Sequence, residues 1–563
     1  MEEGVSYLVN VFSFQKASFG RHSIPKFSND KIFKTYGTKL IATEGIILNS
    51  KRLLDQYGSE DLGKLFLDLY SRSNTEFMKD LRGNFSGFVY DSENNKLTVF
   101  TDHLASKPIY YFYDENSNTL VFSSELKVVS QGMKELGFEP CLEVSASYYL
   151  LTFGYMIGDL TLINEVKKLP PGNVLIYENG KIELKQYYTL SSTPYIEDSE
   201  EEIIKELDRR FKEAVQLEYG KDLEYGYSHI ATMSGGLDCR TNIAYANKLN
   251  FKDVTCFTFS QNNYLDEKIA KKICSDNHME FIFYSLDNGT YLMRNVDNII
   301  NSNDGLIFYL GAAHIYNCLK KLSLHDYGLV HTGQLGDAIL GTYLDKSSHQ
   351  TSSRKLGAYS SKLIDKIRSH VEEEHKKYPN TELFKFYNRG VNGIFNGYRM
   401  IEQFTEFSSP FLYLEFLEYA MRIHPKYRYQ EAIYLKWISR CTPQFAKYKW
   451  EKYGMPPIYP LVLLILLNKF KQLLRLINKR NEKQTSMNPT EYWWKTNSNL
   501  KNKIYIMFDE NIDALEQYPE LINDSKNLFE KGTLIEKSQV LTLLIAIKSL
   551  NIRDSSKIVD GDE

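Results

Sequence analysis

Short apolar runs of strand type dominate the first 190 residues of the chain. The runs 97–101, 109–113 and 120–122 are rich in Val, Phe and Tyr, and polar turns separate them. The runs 174–177 and 182–184 flank an Asn-Gly pair, which is a strong signal for a tight hairpin. This pattern predicts a first half built mainly from antiparallel strands, with a few helices.

Strands and helices alternate after residue 200. Runs of strand type lie at 229–233, 254–259, 281–285 and 329–331, and segments of helical composition lie between them at 240–249, 266–276 and 310–321. Alternation at this spacing predicts an α/β domain with a parallel, doubly wound sheet. Ligands of such sheets bind beyond the carboxyl ends of the strands, so the loops at those ends are candidate sites.

Shifts in composition divide the chain into parts. We predict an N-terminal domain at 1–190, a polar linker at 191–200, an α/β domain at 201–470 and a helical C-terminal extension at 471–563. Within the third part, the polar stretch 349–355 is predicted to be a mobile insertion.

Charge and cysteine content exclude several classes of protein. The 68 basic residues balance 71 acidic ones, so there is no electrostatic case for a nucleic-acid partner. The six cysteines are scattered without a CxxC pair, which is typical of a reducing compartment. The acidic start lacks the form of a signal peptide. We therefore expect a cytoplasmic protein.

The longest apolar run, 461–467, is far shorter than the ~20 residues that cross a bilayer. We therefore expect no transmembrane segment. A stretch rich in lysine and arginine follows at 469–480. We interpret the run as a core-packed helix with a solvated basic face, and a surface helix on anionic lipid is the alternative.

The sequence Ile-Ala-Thr-Met-Ser-Gly-Gly-Leu-Asp-Cys-Arg at 230–240 places a glycine turn between a strand and a helix. Backbone N–H groups of such a turn can approach an anion closely, and the helix N-terminus adds a favourable partial charge. Asp238 within the loop suits a Mg²⁺ ion that bridges to phosphate. The motif resembles the Ser-Gly-Gly-x-Asp-Ser loop of the PP-loop ATP pyrophosphatases, which cleave ATP between its α and β phosphates.

A second glycine-containing motif, Thr-Gly-Gln-Leu-Gly-Asp at 332–337, follows the last predicted strand. Asp337 offers a second hard oxygen ligand. Two aspartates at neighbouring strand ends can share Mg²⁺ and orient pyrophosphate as a leaving group. The fragment alone also fits a turn with a helix-capping aspartate, but its pairing with the first motif favours a site.

Eight segments carry a resemblance to the asparagine synthetase family. They lie at 81–91, 102–111, 122–127 and 169–172 in the first half and at 234–238, 333–343, 409–412 and 449–454 in the second. The likeness implies a glutaminase-like N-terminal domain, an α+β antiparallel sandwich of the Ntn type. It also implies a synthetase domain of the PP-loop, adenine nucleotide α-hydrolase-like fold with a helical C-terminal part.

The resemblance implies roles for individual residues. Those that would bind ATP and its pyrophosphate are Ser234, Gly235, Gly236, Leu237, Asp238, Cys239, Ser260, Gly333 and Gln334. Asp238 and Asp337 would hold Mg²⁺, and a lysine would stabilise the acyl-adenylate transition state. Lys452 is our first choice for this lysine because it precedes Tyr453 much as the family's lysine precedes its Gly-Phe, and Lys449 is the second.

Several departures from the family pattern concern the chemistry. Glutamine-hydrolysing members begin Met-Cys-Gly, whereas this chain begins Met-Glu-Glu and has no cysteine before Cys141. Glu44 stands where the family's glutamine-binding stretch has an amide. We therefore expect no glutaminase activity. Gln334 and Ala338 stand where asparagine synthetases carry glutamates, which argues against strict amidation of aspartate.

We expect an ATP-dependent ligase that adenylates the carboxylate of a small molecule or peptide, releases pyrophosphate and forms an amide with ammonia or an amine. Family members without the cysteine include β-lactam synthetases and lasso-peptide cyclases, so an intramolecular cyclase is one alternative. A non-catalytic relative that binds a nucleotide or a partner protein is another. A PP-loop tRNA-modifying enzyme is disfavoured, because neither a basic RNA-binding region nor a reactive cysteine pair is evident. A homodimer is compatible with the sequence.

Overall fold

The computed structural model describes residues 7–13, 16–344, 356–467 and 486–552. The predicted insertion at 349–355 and the basic stretch at 469–480 lie outside the described residues.

Two antiparallel sheets make up most of the first half. Their strands are β1 (Tyr7–Ser13), β2 (Lys16–His22), β3 (Phe33–Tyr36), β4 (Lys39–Ile47), β5 (Gly83–Asp91), β6 (Lys96–Thr101), β7 (Tyr110–Asp114), β8 (Thr119–Ser123), β9 (Val166–Lys168), β10 (Asn173–Glu178) and β11 (Lys181–Gln186). The strand orders are β2-β1-β8-β7-β9 and β11-β10-β6-β5-β4-β3. The predicted antiparallel half is confirmed, and the predicted hairpin is β10 with β11.

Apolar side chains of the two sheets meet in one buried cluster. Phe88 of β5 and Val99 of β6 belong to it, as do Leu120 and Phe122 of β8 in the other sheet. The rings of Phe88 and Phe122 pack edge to face, with centroids 5.7 Å apart. Alternation of inward apolar side chains along each strand therefore builds a two-layer core. The helices of this half are α1 (Ser50–Tyr57), α2 (Leu62–Ser73), α3 (Leu126–Glu135) and α4 (Val144–Phe153).

A parallel sheet forms the centre of the second half, which confirms the predicted alternation. Its strands are β12 (Ser228–Thr232), β13 (Val254–Ser260), β14 (Glu280–Ser285), β15 (Tyr327–His331) and β16 (Phe407–Ser408). The order is β14-β13-β12-β15-β16, and every neighbouring pair is parallel. The chain progresses outward from β12 to β14 and then returns to the other side of β12. The sheet's topological switch point therefore lies between β12 and β15.

The long helix α5 (Glu200–Glu224) enters this half with a reciprocal cap. The Ser199 side chain accepts from the Glu202 N–H, and the Glu202 side chain accepts from the Ser199 N–H. The sequence predicts this helix over 200–217, but it continues to residue 224. The polar residues of its last turns, such as Lys221 and Asp222, are buried and paired, so they extend the helix instead of ending it.

Helices cover the parallel sheet and fill the rest of the second half. They are α6 (Asp238–Lys248), α7 (Leu265–Asp276), α8 (Val296–Ser302), α9 (Leu310–Leu319), α10 (Arg368–Lys376), α11 (Thr381–Lys385), α12 (Leu414–Arg422), α13 (Pro425–Arg428), α14 (Ala432–Cys441), α15 (Pro443–Ala446), α16 (Thr490–Thr496), α17 (Ser498–Asp509), α18 (Pro519–Lys531) and α19 (Leu534–Ser549). Helix α19 is almost wholly buried and packs against both α4 and α8. The predicted C-terminal extension thus contributes to the core shared by both halves.

The apolar run 461–467 differs from its prediction as a core-packed helix. Leu464 is buried, but Val462, Leu463 and Leu466 are exposed. One side of this helical segment therefore packs against the protein while the other faces outward. No helix in the described part of the chain has the length and apolarity that crossing a bilayer requires.

Candidate active site

The loops that follow β12 and β15 lie next to each other at the switch point and enclose a cavity of about 590 Å³. The turn at 450–452 and the residues Ser486 and Met487 close its other sides. Among the described residues that line it are five carboxylates and one lysine: Asp238, Asp266, Asp337, Glu431, Glu451 and Lys452. We call it the acidic cavity.

Asp238 and Asp337 form the centre of this negative charge. The Asp337 N–H donates to Asp238 Oδ2 at 3.0 Å, and the Tyr434 hydroxyl donates to Asp238 Oδ1 at 2.9 Å. Burial raises the pKa of both carboxyls, and the negative charge of Asp337 raises the pKa of Asp238 further. The pair therefore suits a divalent cation, which would favour the ionised form of both groups.

Glycines of the second motif let the two loops touch. A Cβ on Gly333 would lie 2.3 Å from the Cys239 N, and one on Gly336 would lie 2.7 Å from Asp238 Cγ. No side chain fits at either position without moving the first loop. This close approach places Asp337 beside Asp238, and it explains why glycine stands at positions 333 and 336.

Most residues predicted for ATP are brought to the cavity. Its lining includes Ser234, Gly236, Leu237, Asp238, Cys239, Gly333 and Gln334. Gly235 is not among the lining residues, and its N–H donates to Asp266 Oδ1 at 2.9 Å. Ser260 is fully buried, is absent from the lining, and its hydroxyl donates to the Gln261 carbonyl at 2.9 Å.

The two candidate lysines differ in position. Lys452 lines the cavity, pairs with Glu431, and lies 5.1 Å from the centroid of the Trp450 ring. Burial opposes its charge, but the Glu431 carboxylate outweighs this and raises the pKa of Lys452. Lys449 is exposed and does not line the cavity. Of the two candidates, Lys452 is thus the one that lies at the cavity.

Arg240 ties the first loop to the turn that carries Lys452. Its guanidinium donates to the carbonyls of Gly235 at 2.9 Å, Tyr448 at 3.1 Å and Lys449 at 2.6 Å. The side chain is buried, and burial lowers its pKa to about 10. The sequence alone assigned no role to Arg240. The missed signal was a charged side chain on the buried face of a helix, which requires partners.

Asp266 is a second residue that the sequence did not single out. It lies in the first turn of α7, lines the cavity and accepts from the Gly235 N–H. Burial raises its pKa to about 6.

The side chain of Gln334 has only one of its two polar atoms hydrogen-bonded within the described residues. Its amide nitrogen donates to the Ile394 carbonyl at 3.3 Å, whereas Gln334 Oε1 is buried without a hydrogen-bond partner among the described residues.

Three potential metal ligands lie close together where α5 meets β12 and β15: Asp222, His229 and His331. Asp222 Oδ2 is hydrogen-bonded to His229 Nδ1 at 2.8 Å and to His331 Nε2 at 2.7 Å. Ligand atoms on two metal bonds of about 2 Å stand farther apart, at roughly 3.3 Å in a tetrahedral site. Hydrogen bonding therefore accounts for this group. Burial opposes a charge on His331, but Asp222 and Glu218 raise its pKa to about 9.

Another group of buried charges lies where the first half meets the parallel sheet. Glu406 directly precedes β16 and pairs with Lys31 at 2.9 Å and with Lys107 at 2.7 Å. Lys31 also pairs with Glu44 at 3.2 Å, and Lys107 pairs with Glu402 at 2.9 Å. Burial opposes ionisation of Glu406, but the two lysines lower its pKa to about 2. We call these five residues the interdomain charge cluster.

Known proteins resemble this chain in sequence in both its antiparallel half and its parallel-sheet half. Residues 26–188 match the model of a glutamine amidotransferase domain. The chain is 23% identical over 379 residues to a putative glutamine-hydrolysing asparagine synthetase 2 of Methanocaldococcus jannaschii, covering 65% of this chain and 67% of the relative. It is 23% identical over 356 residues to asparagine synthetase B of Escherichia coli, covering 58% and 57%.

A glutamine-hydrolysing asparagine synthetase 1 of Bacillus subtilis is 22% identical over 283 residues, covering 50% of this chain and 43% of the relative. The chain thus spans between 43% and 67% of the length of these three relatives. The matched domain includes strands β3 to β11 of the antiparallel half, and the longer alignments extend into the half that holds the acidic cavity. The chain is therefore similar to glutamine-hydrolysing asparagine synthetases, and its residues 26–188 match a glutamine amidotransferase domain.

Proposed function

We propose that this protein is an ATP-dependent ligase that adenylates a substrate carboxylate in the acidic cavity and then forms an amide. A carboxylate oxygen attacks the α-phosphorus of ATP, and the bond to the bridging oxygen breaks to release pyrophosphate. A nitrogen nucleophile next attacks the acyl carbon, loses a proton, and displaces AMP. The observation that carries the proposal is the contact between Asp238 and Asp337 at the switch point of the sheet.

Mg²⁺ fits this arrangement. Asp238 and Asp337 would hold it, because two adjacent carboxyls with raised pKa values gain most from a nearby cation. The ion would neutralise charge on the pyrophosphate leaving group. The chain's own residues bind and orient the nucleotide: Ser234 and Gly236 border the phosphate region, and Lys452 supplies positive charge to it.

The source of the nitrogen is proposed to be free ammonia or an amine, not glutamine. Glu44 occupies the position where the family's glutamine-binding stretch has an amide. Its carboxylate is buried and paired with Lys31 at 3.2 Å and with Arg21 at 3.3 Å. A carboxylate engaged in this way cannot donate hydrogen bonds to glutamine as an amide can.

Exchange of labelled pyrophosphate into ATP tests the first half-reaction without knowledge of the amine. The purified protein is incubated with ATP, Mg²⁺ and a panel of small carboxylic acids and peptides. We expect exchange with at least one acid, and amide formation when ammonia or an amine is then added. Titration with ATP and Mg²⁺ separates the alternatives. Nucleotide binding without exchange would favour a non-catalytic relative, and no binding at millimolar ATP would contradict a nucleotide site.

A further inference from the structure

A second cavity lies where the antiparallel half meets helices of the second half. Its volume is about 310 Å³, a size that suits a small organic ligand. Residues within 158–190 form part of its lining, and residues of α10, α11 and the helical segment Phe386–Phe395 form most of the rest. Among the described residues, the two cavities share no lining residue. We call this second space the interdomain cavity.

Lys168, at the end of β9, places a buried cation on the interdomain cavity. The residue is only 6% exposed. Its ammonium group donates to Asn392 Oδ1, which is its one hydrogen-bond acceptor among the described residues. An ammonium group has three N–H donors. Two N–H groups of Lys168 therefore lack an acceptor within the described part of the protein.

Other buried lysines of the described chain have fuller sets of partners. Lys31 and Lys107 each pair with two glutamates, and Lys221 pairs with an aspartate and a glutamate. Lys26 donates to two backbone carbonyls. A buried ammonium group that lacks such partners costs free energy. Lys168 therefore differs from these four lysines in needing acceptors from a ligand.

The partner of Lys168 leaves its charge unbalanced. Asn392 Nδ2 donates to the carbonyls of Met156 at 3.3 Å and Gly158 at 3.2 Å, and this holds the neutral amide with its oxygen toward Lys168. Burial lowers the pKa of Lys168 to about 8, and the Asp159 carboxylate offsets only part of this effect. An anion bound in the interdomain cavity would favour the charged form.

The rest of the lining limits the class of anion. Glu374 pairs with Lys377 at 2.6 Å, so these two charges balance each other, and Asp159 adds a further carboxylate. A doubly charged anion would be repelled by both carboxylates more strongly than a singly charged one. Apolar and aromatic side chains that can pack against the remainder of a ligand are Pro170, Pro171, Leu190, Leu383, Tyr378 and Tyr387.

We propose that the interdomain cavity binds a small monocarboxylic acid. Its carboxylate accepts hydrogen bonds from the Lys168 ammonium group, and its apolar remainder packs against the proline, leucine and tyrosine side chains. This site is separate from the acidic cavity and does not depend on the reaction proposed above.

Calorimetric titration of the full chain with acetate, butyrate, benzoate and phenylacetate tests the proposal. We expect saturable binding of at least one acid at neutral pH, and no binding of the corresponding neutral amide. Lys168→Met should bind that acid at least about tenfold more weakly, since hydrogen bonds to a charged group are the strong ones. The matched control is Lys377→Met, which removes an exposed lysine from the same lining and should bind nearly as the wild type does.

A second variant keeps the test independent of any folding defect in Lys168→Met. Thr189 is an exposed residue of the lining, so Thr189→Trp can occupy the interdomain cavity while Lys168 stays in place. We expect this variant to lose binding, and its control Ser191→Trp, at an exposed position outside the lining, to retain it. Circular dichroism and thermal unfolding check that both variants are folded.

Four outcomes would overturn the proposal. They are the absence of saturable binding for all four acids, equal binding of the neutral amide, inorganic phosphate binding as tightly as the best acid, and unchanged affinity in folded Lys168→Met or Thr189→Trp.

Discussion

The acidic cavity and the interdomain charge cluster both contain several charged side chains. They differ in how far carboxylates are balanced by lysines. In the interdomain charge cluster, each carboxylate has a lysine partner within 3.2 Å, and all five side chains are buried. In the acidic cavity, five carboxylates share one lysine among the described lining residues, and the central pair is Asp238 and Asp337. The charges of the interdomain charge cluster are balanced within the protein, whereas the described lining of the acidic cavity carries an excess of negative charge.

The difference in charge balance suits the interdomain charge cluster to a structural role and the acidic cavity to a chemical one. Glu406 has its pKa lowered by two lysines, so it stays ionised and holds the halves together. Asp238 has its pKa raised by burial and by Asp337, so its ionised form is disfavoured unless positive charge lies nearby. Four substitutions test the contrast, in order of decreasing expected effect.

The largest effect is expected in the acidic cavity. Asp238→Asn keeps the shape and the contact with Asp337 but removes a negative charge from the proposed Mg²⁺ site. We predict that pyrophosphate exchange falls at least about a thousandfold, since metal ligation contributes several kcal/mol to such reactions. The control Asp253→Asn makes the same change at an exposed position and should leave exchange unaltered. Normal exchange by Asp238→Asn would contradict the assigned site.

The interdomain charge cluster should respond in stability instead of chemistry. Glu406→Gln leaves Lys31 and Lys107 buried without their shared partner. We predict a loss of about 3–5 kcal/mol in the free energy of unfolding, measured by urea denaturation. The control Glu178→Gln breaks a partly exposed pair with Lys96 and should cost less than about 1 kcal/mol. Pyrophosphate exchange per folded molecule should stay unchanged. A loss of exchange in folded Glu406→Gln would show that the interdomain charge cluster also contributes to the reaction.

The raised pKa of His331 gives the free energy of unfolding a pH dependence with a definite sign. The pKa of His331 is raised from 6.5 to about 9, so its charge stabilises the fold fully below pH 6.5 and this stabilisation is lost as pH rises through 9. His331→Gln should lower the free energy of unfolding by about 3 kcal/mol at low pH and remove this dependence. The exposed control His370→Gln should retain it. An unchanged pH profile in His331→Gln would show that His331 is neutral.

Lys452 and Lys449 are close in sequence, but only Lys452 lines the acidic cavity, so their substitution tests whether position at the cavity matters. Lys452→Met removes the positive charge that lines the acidic cavity, and we predict a fall in exchange of about a hundredfold, typical for loss of one stabilising group. Lys449→Met changes an exposed side chain and should have little effect. A larger loss of exchange in Lys449→Met than in Lys452→Met would contradict the assignment of Lys452.

Local sequence patterns predicted the elements of the fold and the two loops well. The runs before residues 234 and 332 are short and apolar, and each is followed by glycine, so strand, loop and helix could be read in order. The aspartates at the strand ends were predicted for the same reason, because parallel strands bring their carboxyl ends to one edge.

Contacts between distant residues were not predictable in this way. Arg240 reaches carbonyls more than 200 residues away in sequence, and Lys31 meets Glu406 across an even longer separation. Nothing local distinguishes these residues from solvated ones. Gly235 and Ser260 were assigned to ATP from their place in the motifs, but tertiary hydrogen bonds engage Gly235 N–H with Asp266 and bury Ser260. The outward-facing Val462 likewise depends on which side of a helix the core covers.

Asp222 links the two strands that flank the switch point. One carboxylate oxygen is hydrogen-bonded to His229 of β12 and to His331 of β15, while Asp222 Oδ1 accepts from the Leu329 N–H at 2.8 Å. The Asp222 carboxylate therefore joins β12 to β15, and the loops that carry Asp238 and Asp337 follow two strands held by the same side chain. On the other side of the acidic cavity, Arg240 joins the first loop to the carbonyls of Tyr448 and Lys449, so the segment that leads to Lys452 is also held to this anchored loop.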